Sequence, residues 1–314
     1  MEKKYKNLNL TQPAIKTVTS AEWMAQREII YAERNRRIQE VCKLYSLPYN
    51  DDKRKLLEEG VFWFDLRNHL SMCLHPKVAY TTWIRNFLLL SGLTPKEKKL
   101  LDTHNRLHFM VRSRIIKPIL NQEENGFDVF DFTDKHKLLK VSFVRHPYER
   151  LISCYENKVI HDPDAERMYF EIVEKYNDTS FATFVDYVLE AATKKNCFER
   201  SSNCWINRHF RPYYSNCFHC HIEYDVIGHL EDSADDVAYI AAKLNLTSFL
   251  PELSKTRNKT KGKKSNDWVK SYMSQLSEQQ KEKLFELYKL DFALFGYDPE
   301  NTIRSPEKQI KANI

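Results

Sequence analysis

The sequence contains no run of apolar residues long enough to cross a lipid bilayer. A membrane-spanning helix needs about 20 consecutive, mostly apolar residues, and every apolar stretch here is shorter. The first residues, MEKKYKNLNLTQP, are charged where a signal peptide has its apolar core. From the sequence alone we expect a soluble chain that carries neither a signal peptide nor a membrane anchor.

Glycine is scarce, with 6 residues among 314. The phosphate-binding loop of P-loop enzymes follows the pattern G-x-x-x-x-G-K-[ST], in which a lysine directly precedes the Ser/Thr. The chain has no such pattern. This absence argues against a P-loop kinase, and any phosphate-binding turn in this chain must rely on other donors.

Charge of one sign does not dominate either. The net charge is +6 with a pI of about 8.7, which favours acidic partners without choosing among nucleic acids, lipids, polysaccharides and phosphorylated cofactors. The basic run 255–265 has no interleaved aromatic residues, so we do not expect nucleic-acid binding. We interpret this run as a solvated loop, with a flap over a polyanion as the alternative.

The cysteine count is odd and does not decide the redox compartment. The seven cysteines are Cys42, Cys73, Cys154, Cys197, Cys204, Cys217 and Cys220. Four of them fall within residues 197–220, which indicates disulfides. The CFHC pair is a weak zinc signal without a second well-spaced pair, so no metal site is predicted. Four N-x-S/T sequons, at Asn9, Asn177, Asn245 and Asn258, support a secretory lumen and a glycoprotein only weakly.

What is present is an alternation of strand-like and helix-like segments from residue 60 onward. The predicted strands are FWFDL, LSMCLH, LLKVSFVR and YDVIGHL, and the predicted helices are TTWIRNFLLLSG, PYERLISCYENKV, SADDVAYIAAKLNL and LSEQQKEKLFELYKLDFALFGY. This order predicts an α/β fold with a central, mostly parallel sheet and helices on both of its faces. Ser233 is expected to cap the third of these helices.

Ahead of this region, the spacing of apolar residues in 20–46 predicts an amphipathic helix, with Ser20 or Ala21 near its N-terminal cap. Its apolar stripe consists of Trp23, Ile29, Ile30, Ile38 and Val41. We expect residues 1–55 to form an N-terminal helical arm, residues 56–300 the main domain, and residues 301–314 a disordered tail.

The stretch CLHPKVAYTTWIRNFLLLSG predicts a strand, a short turn and a helix N-terminus. N–H groups at a helix N-terminus lack intrahelical partners and carry the positive end of the helix dipole, so they bind phosphate or sulfate. Lys77 in the turn and the hydroxyls of Thr81 and Thr82 add further donors. Trp83 and Phe87, with Leu88 or Leu90, should pin the helix to the sheet.

A second basic site follows the next strand, in KVSFVRHPYERLISCYENK. Arg145 ends the strand, and Pro147 suits the first position of the following helix. Ser153 lies about two turns into that helix, so it could reach one phosphate together with Arg145. Arg150 is either a third ligand or a surface residue. Two basic sites at the carboxyl ends of parallel strands predict a ligand with two anionic groups.

These segments carry a family resemblance. PKVAYTTW resembles the 5′-phosphosulfate-binding loop of Golgi carbohydrate sulfotransferases, and FVRHPYERLIS resembles their 3′-phosphate-binding motif. The similarity is greatest in the branch with the chondroitin 4-O- and HNK-1 sulfotransferases. The segments NRHFRPYYSNCFHCHIEYDVIGHLED and LYKLDFALFGY resemble later parts of that branch, so the similarity covers roughly residues 55–298.

The resemblance implies a P-loop-like three-layer fold and a donor, 3′-phosphoadenosine 5′-phosphosulfate (PAPS), that needs no metal. It implies that the donor is bound by the loop residues Pro76, Lys77, Val78, Ala79, Tyr80, Thr81, Thr82 and Trp83, together with Arg145 and Ser153. Lys77 is expected at the leaving-group oxygens. His209, in the segment NRHFRP, is the leading candidate for the base that activates a sugar hydroxyl, and its alternative role is that of a structural histidine hydrogen-bonded in a loop. His75, Glu149, Asp225 and Glu231 remain alternatives.

Four residues depart from the family pattern: Tyr80, Thr82, His146 and Phe210 stand where cysteine, asparagine, an acidic residue and tryptophan are usual. These departures are compatible with donor binding and leave the acceptor open.

The expected acceptor is an acidic glycan or proteoglycan of the chondroitin or dermatan type. The alternatives are a glucuronate-terminated glycan and a catalytically silent polyanion-binding protein. The resemblance also implies a Golgi lumen or membrane location and a disulfide among Cys197, Cys204, Cys217 and Cys220; it does not indicate an oligomeric state.

Overall fold

The computed structural model describes residues 20–46, 62–92, 129–161, 167–193, 207–254 and 266–300. Within these ranges the chain is a mixed α/β structure. The basic run 255–265, the predicted tail 301–314 and the cysteines Cys197 and Cys204 lie outside the described residues. The predicted boundaries of the arm, the domain and the tail therefore stay predictions.

Four strands form one sheet in the order β1-β2-β3-β4. The strands are β1 (Phe62–Asp65), β2 (Leu70–Cys73), β3 (Leu139–Val144) and β4 (Val226–His229). β1 and β2 form an antiparallel pair, whereas β2, β3 and β4 run parallel to one another. The carboxyl ends of the three parallel strands therefore meet at one edge of the sheet, and the expected mostly parallel arrangement is confirmed.

Ten α-helices occur in the described ranges: α1 (Ala21–Tyr45), α2 (Tyr80–Leu90), α3 (Val129–Lys135), α4 (Pro147–Tyr155), α5 (Arg167–Tyr176), α6 (Phe181–Thr193), α7 (Ser233–Lys243), α8 (Leu250–Leu253), α9 (Asn266–Met273) and α10 (Glu278–Phe295). A π-helical turn, Glu156–His161, extends α4. The expected strand and helix segments are thus present in the expected order.

Local chemistry defines several helix ends. Ser20 caps α1, because its hydroxyl accepts a hydrogen bond from the backbone N–H of Trp23. Ser277 and Gln280 form a capping box at the start of α10. The expected cap at Ser233 is wrong by one residue: α7 begins at Ser233, and Asp232 occupies the cap position without a side-chain hydrogen bond.

The buried face of α1 matches the predicted apolar stripe only in part: Ile38 is buried and Trp23 and Val41 pack against the core, but the other buried residues are polar or aromatic. Ile29 is 70% exposed, whereas Arg27, Tyr31 and Arg34 are buried together with Ile38. Arg27 and Tyr31 both hydrogen-bond the carboxylate of Asp236, which is fully buried in α7. The prediction was wrong for Ile29 because a buried carboxylate 209 residues away along the chain draws the polar residues Arg27 and Tyr31 onto the inner face of this helix.

α1 lies against the outer edge of the sheet. Arg34 donates to the carbonyl oxygen of Ile227 in β4, and Asn35 donates to that of Tyr224. A disulfide between Cys42 and Cys220 links the same helix to the segment before β4. These contacts cover an edge strand whose backbone would otherwise be open to pairing.

No helix in the described ranges combines the length and the hydropathy that a membrane span requires.

Candidate active site

The turn between β2 and α2 adopts a left-handed backbone twice without glycine. The φ angles of Lys77 and Ala79 are 69° and 54°. Left-handed conformations cost residues with a Cβ atom roughly 1–2 kcal/mol each. The turn therefore reaches a geometry that glycines often provide, and it stores strain of the kind that clusters at functional sites.

α2 begins directly after this turn, at the carboxyl edge of the sheet. No side chain caps its N-terminus, and its first backbone bond runs from Trp83 N–H to Ala79 O at 3.0 Å. Thr82 is buried at the start of the helix and Thr81 is half-buried. The positive end of the helix dipole thus lies beside the turn that carries Lys77.

Some of the predicted loop residues are buried in the core, whereas Tyr80 is only half-buried. Pro76 and Val78 are buried, and Trp83 is 2% exposed and packs against Phe143 at 5.3 Å between ring centroids. These side chains pack in the core and anchor the loop, and donor binding by the loop residues stays a prediction. Phe87, Leu88 and Leu90 are also buried, which confirms that this face pins α2 to the core. Tyr80 is half-buried and lies 5.7 Å below the guanidinium of Arg208.

The ammonium group of Lys77 points toward the end of α4. Its Nζ donates to Oδ1 of Asn157 at 2.8 Å. Burial lowers the pKa of Lys77 to about 8, and the positive charges of Lys158 and Arg145 act in the same direction. A lysine in this environment is better stabilised when an anion binds beside it.

Arg145 directly follows β3 and is 2% exposed. Its Nε donates to Oε2 of Glu149 at 2.9 Å. Its Nη2 is buried and has no hydrogen-bond partner within the described ranges. An unpaired buried donor on a cation is costly unless a ligand satisfies it. This orphaned donor is the observation that fits a phosphate at the carboxyl end of β3.

α4 is buried along its whole length, including Ser153 at 9% exposure. The expected buried face of Tyr148, Leu151, Ile152, Tyr155 and Val159 is confirmed. The interpretation of Arg150 as a surface residue is wrong, because it is 1% exposed. Its guanidinium donates to three backbone carbonyl oxygens instead of facing solvent.

His209 is half-buried in the segment before the short 3-10 helix Tyr213–Ser215. Oδ1 of Asn207 lies 2.8 Å from its Nδ1 and also accepts from its backbone N–H at 3.0 Å. Because an amide oxygen only accepts, Nδ1 carries the proton and Nε2 keeps a lone pair. Burial, followed by the charges of four nearby cations, holds the pKa of His209 well below its usual value. The imidazole is therefore a neutral ring whose Nε2 can act as an acceptor.

The four cations whose charges reach His209 are Lys158, Arg208, Lys77 and Arg150. The structure thus brings the turn after β2, the end of α4 and the His209 segment together. Sequence reasoning missed Asn157, Lys158 and Arg208. Asn157 follows Ser153 by four residues, a spacing that puts both on one helix face and could have indicated it.

The alternative bases are less suitably placed. Asp225 precedes β4 and accepts from the N–H of Lys140 near the start of β3, so it lies at the opposite edge of the sheet. Glu149 is paired with Arg145, and Glu231 accepts from the backbone N–H of His146 at 3.1 Å. His75 is 1% exposed.

Residues near the site that depart from the family pattern serve the core. His146 is fully buried, its Nε2 donates to the carbonyl of Asp298 at 2.9 Å, and burial lowers its pKa to about 4. Phe210 is 1% exposed and packs edge-on against Phe184 and Tyr187. Neither side chain is available to contact an acceptor.

A disulfide joins Cys73 at the end of β2 to Cys217. Cys217 and Cys220 both bond to cysteines more than 140 residues earlier. A disulfide within the 197–220 cluster therefore stays a prediction for Cys197 and Cys204, which lie outside the described residues. Cys73, His75 and Cys217 bring three potential metal-ligand atoms within 4.8 Å of one another. With the two sulfurs bonded to each other, neither is a thiolate that could bind a metal.

Comparison with known proteins gives a consistent result. The family model described as "Sulfotransferase family" matches residues 61–298. Carbohydrate sulfotransferase 11 of Danio rerio is 27% identical over 300 residues, covering 89% of this chain and 79% of its own length. Carbohydrate sulfotransferase 14 of Danio rerio is 28% identical over 300 residues, covering 88% and 74%.

Carbohydrate sulfotransferase 10 of Pongo abelii is 28% identical over 303 residues, covering 86% of this chain and 76% of its own length. No solved structure matches the chain. The family model spans well over half of the 314 residues and includes both strand–turn–helix units. The resemblance indicated by the sequence motifs is thereby confirmed, and the chain belongs to the sulfotransferase family.

Proposed function

We propose that this protein transfers a sulfuryl group from PAPS to a sugar hydroxyl. The observation that carries the proposal is the pair of cationic sites at adjacent carboxyl ends of β2 and β3. One is the Lys77 turn before the uncapped α2, and the other is Arg145 with its orphaned Nη2. PAPS carries one anionic group at each end, and a neutral base, His209, lies within electrostatic reach of Lys77.

Each residue has a role that follows from its chemistry. The N-terminus of α2, with Thr81 and Thr82, would hold the 5′-phosphosulfate, and Arg145 with Ser153 would hold the 3′-phosphate. Nε2 of His209 accepts the proton as the acceptor oxygen bonds to sulfur. The bond from sulfur to the bridging oxygen breaks, and the ammonium of Lys77 stabilises the charge that develops on that oxygen. No step requires a metal.

For the acceptor we propose an acidic glycan, with chondroitin or dermatan ahead of a glucuronate-terminated glycan. Four cations surround His209, so an anionic chain is favoured next to the reacting hydroxyl. The relatives are named carbohydrate sulfotransferases, which agrees with a glycan. A catalytically silent polyanion-binding protein is the remaining alternative, and the orphaned donor and the neutral base argue against it.

We further propose a P-loop-like three-layer fold and residence in the Golgi. Two disulfides support an oxidising compartment, because disulfides are rare in the cytosol. The sequon asparagines Asn177 and Asn245 are both exposed, as glycosylation requires. Digestion of the protein from a eukaryotic expression host with a glycosidase, compared with the Thr179→Ala and Thr247→Ala variants, tests this: the mobility shift should shrink in each variant.

Sulfate transfer from radiolabelled PAPS to a panel of desulfated glycosaminoglycans tests the activity. Lys77→Ala and Arg145→Ala are compared with Lys243→Ala and Arg36→Ala, which remove solvent-exposed cations. We expect one acceptor to be labelled, and labelling to disappear only in the first two variants. Labelling that survives both variants contradicts the proposed site. If no acceptor is labelled and the wild type does not bind adenosine 3′,5′-bisphosphate, the sulfotransferase function is wrong.

A further inference from the structure

Arg150 is a buried cation near the site whose guanidinium contacts two separate segments. Its Nη1 donates to the carbonyl of Arg211 at 2.7 Å and its Nη2 to that of Arg208 at 2.9 Å. Its Nε approaches the carbonyl of Pro76 at 3.3 Å. One rigid guanidinium therefore joins the donor turn after β2 to the backbone on both sides of His209.

Two side chains of α10 hold the same segment from its other side. The hydroxyl of Tyr288 donates to the carbonyl of Phe210 at 2.6 Å. The carboxylate of Asp291 accepts from the backbone N–H groups of Tyr213 and Tyr214 at 2.7 and 3.2 Å. Because Tyr288 and Asp291 are both buried, these bonds form in a region from which water is excluded.

One frame around the His209 segment is formed by Arg150, Tyr213, Tyr288 and Asp291, and Arg150 contacts Tyr213 within it. The guanidinium carbon of Arg150 lies 4.4 Å from the centre of the Tyr213 ring. The hydroxyl of Tyr213 accepts from the N–H of Arg145 and donates to its carbonyl, at 3.1 and 3.2 Å. The frame thus connects the donor turn, the 3′-phosphate arginine and the base segment in one hydrogen-bonded unit.

We propose that Arg150 is a positioning residue, which sets the distance between His209 and the Lys77 turn through backbone carbonyls without contacting either substrate. This inference rests on the proposed function. Its planar fork suits the task, because it bonds several carbonyls at once in a fixed geometry that a lysine cannot reproduce. Misplacing a reacting group by about 1 Å can cost about 100-fold in rate.

The test compares Arg150→Lys, which keeps the charge, with Arg150→Met, which removes it. Arg85→Lys is the matched control, since Arg85 also donates to a backbone carbonyl, that of Glu252, but lies outside this frame. We expect Arg150→Lys to lower kcat about 100-fold. Adenosine 3′,5′-bisphosphate affinity should change far less, and amide hydrogen exchange should accelerate within residues 207–216. Arg85→Lys should change none of these.

The pKa of His209, followed by NMR of its ring carbon, separates positioning from charge. Among the described residues, the charged groups with the largest effect on His209 are Lys77, Arg150, Lys158 and Arg208, and all of them lower its pKa. Arg150→Met should therefore raise the pKa of His209 more than Arg150→Lys does, because only the first variant also removes a positive charge. A loss of kcat in Arg150→Lys as large as that in Arg150→Met then assigns the loss to position and not to charge.

Two results would overturn the inference. One is wild-type kcat and wild-type exchange of residues 207–216 in Arg150→Lys. The other is faster exchange throughout the chain, which means global destabilisation. If both Arg150 variants fail to fold, Tyr288→Phe removes one bond of the same frame with little change in volume and should show the same pattern at smaller size. Hydrogen exchange and the NMR titration need no sulfate transfer, so they distinguish failure of this inference from failure of the proposed function.

Discussion

The titration of Lys77 offers the sharpest check on the proposed site. Burial lowers the pKa of Lys77 from 10.5 to about 8, which corresponds to about 3 kcal/mol against the protonated form. The pKa of this basic group is lower in the folded state than in the unfolded state. The free energy of unfolding therefore decreases as pH falls from 10.5 to about 8. Below pH 8 the empty site therefore holds a costly charge, and a bound anion should offset much of that cost.

The assay is NMR of the protein after its lysines have been converted to ¹³C-dimethyl-lysine. The Lys77→Arg variant identifies the Lys77 signal, because only the resonance of dimethylated Lys77 disappears from its spectrum. We expect the Lys77 signal to titrate near pH 8 in the free protein. Saturating adenosine 3′,5′-bisphosphate should move the titration to higher pH, since a nearby anion favours the protonated form.

Kinetics should report the same group. For the free enzyme, kcat/KM should fall about tenfold per pH unit above about pH 8, as Lys77 loses its proton. In Lys77→Arg the guanidinium stays protonated, so whatever activity remains should lack this basic limb. A Lys77 signal that titrates near its ordinary value, or that ignores the bisphosphate, would refute the assignment of Lys77 to the anion site.

Three further predictions follow from the geometry. Ala79→Gly should raise the free energy of unfolding by about 1 kcal/mol in denaturant melts, because glycine adopts the left-handed backbone without strain; an unchanged or lower value contradicts the inferred strain. His209→Gln should lower kcat about 100-fold or more while bisphosphate affinity is kept, and equal loss of both would assign His209 to donor binding instead. Asp236→Ala should cost about 3–5 kcal/mol in the same melts, because it leaves the two buried arginines of α1 without their carboxylate; a cost below 1 kcal/mol would mean that water reaches them.

Several features of the fold could be predicted because they depend on residues close together in the chain. The strand ending at Cys73, the turn with Lys77 and the helix from Tyr80 form one continuous segment, and its apolar spacing predicts both elements. Arg145 and Pro147 mark the second unit in the same way. The parallel pairing of β2 and β3 then brings the two units to one edge of the sheet.

The orientation of buried polar groups could not be predicted in this way. The sequence places Arg150 on a helix, but only its contacts with Pro76 and Arg211, more than 60 residues away on each side, make it a buried frame residue. The inner face of α1 depends in the same way on Asp236. A polar side chain is buried only where a distant partner satisfies it, and local periodicity contains no information about that partner.

By itself the sequence determined the order of strands and helices, the two cationic strand ends and the family, because each of these is a pattern within a short segment. Tertiary structure alone decided the bonding of Cys73 to Cys217, the contact of Lys77 with Asn157 and the neutral tautomer of His209. Two of these three rest on contacts between segments that the chain brings together only on folding. The third, the tautomer, rests on a neighbouring asparagine whose side-chain direction is set by the fold, and burial among distant cations keeps that imidazole uncharged.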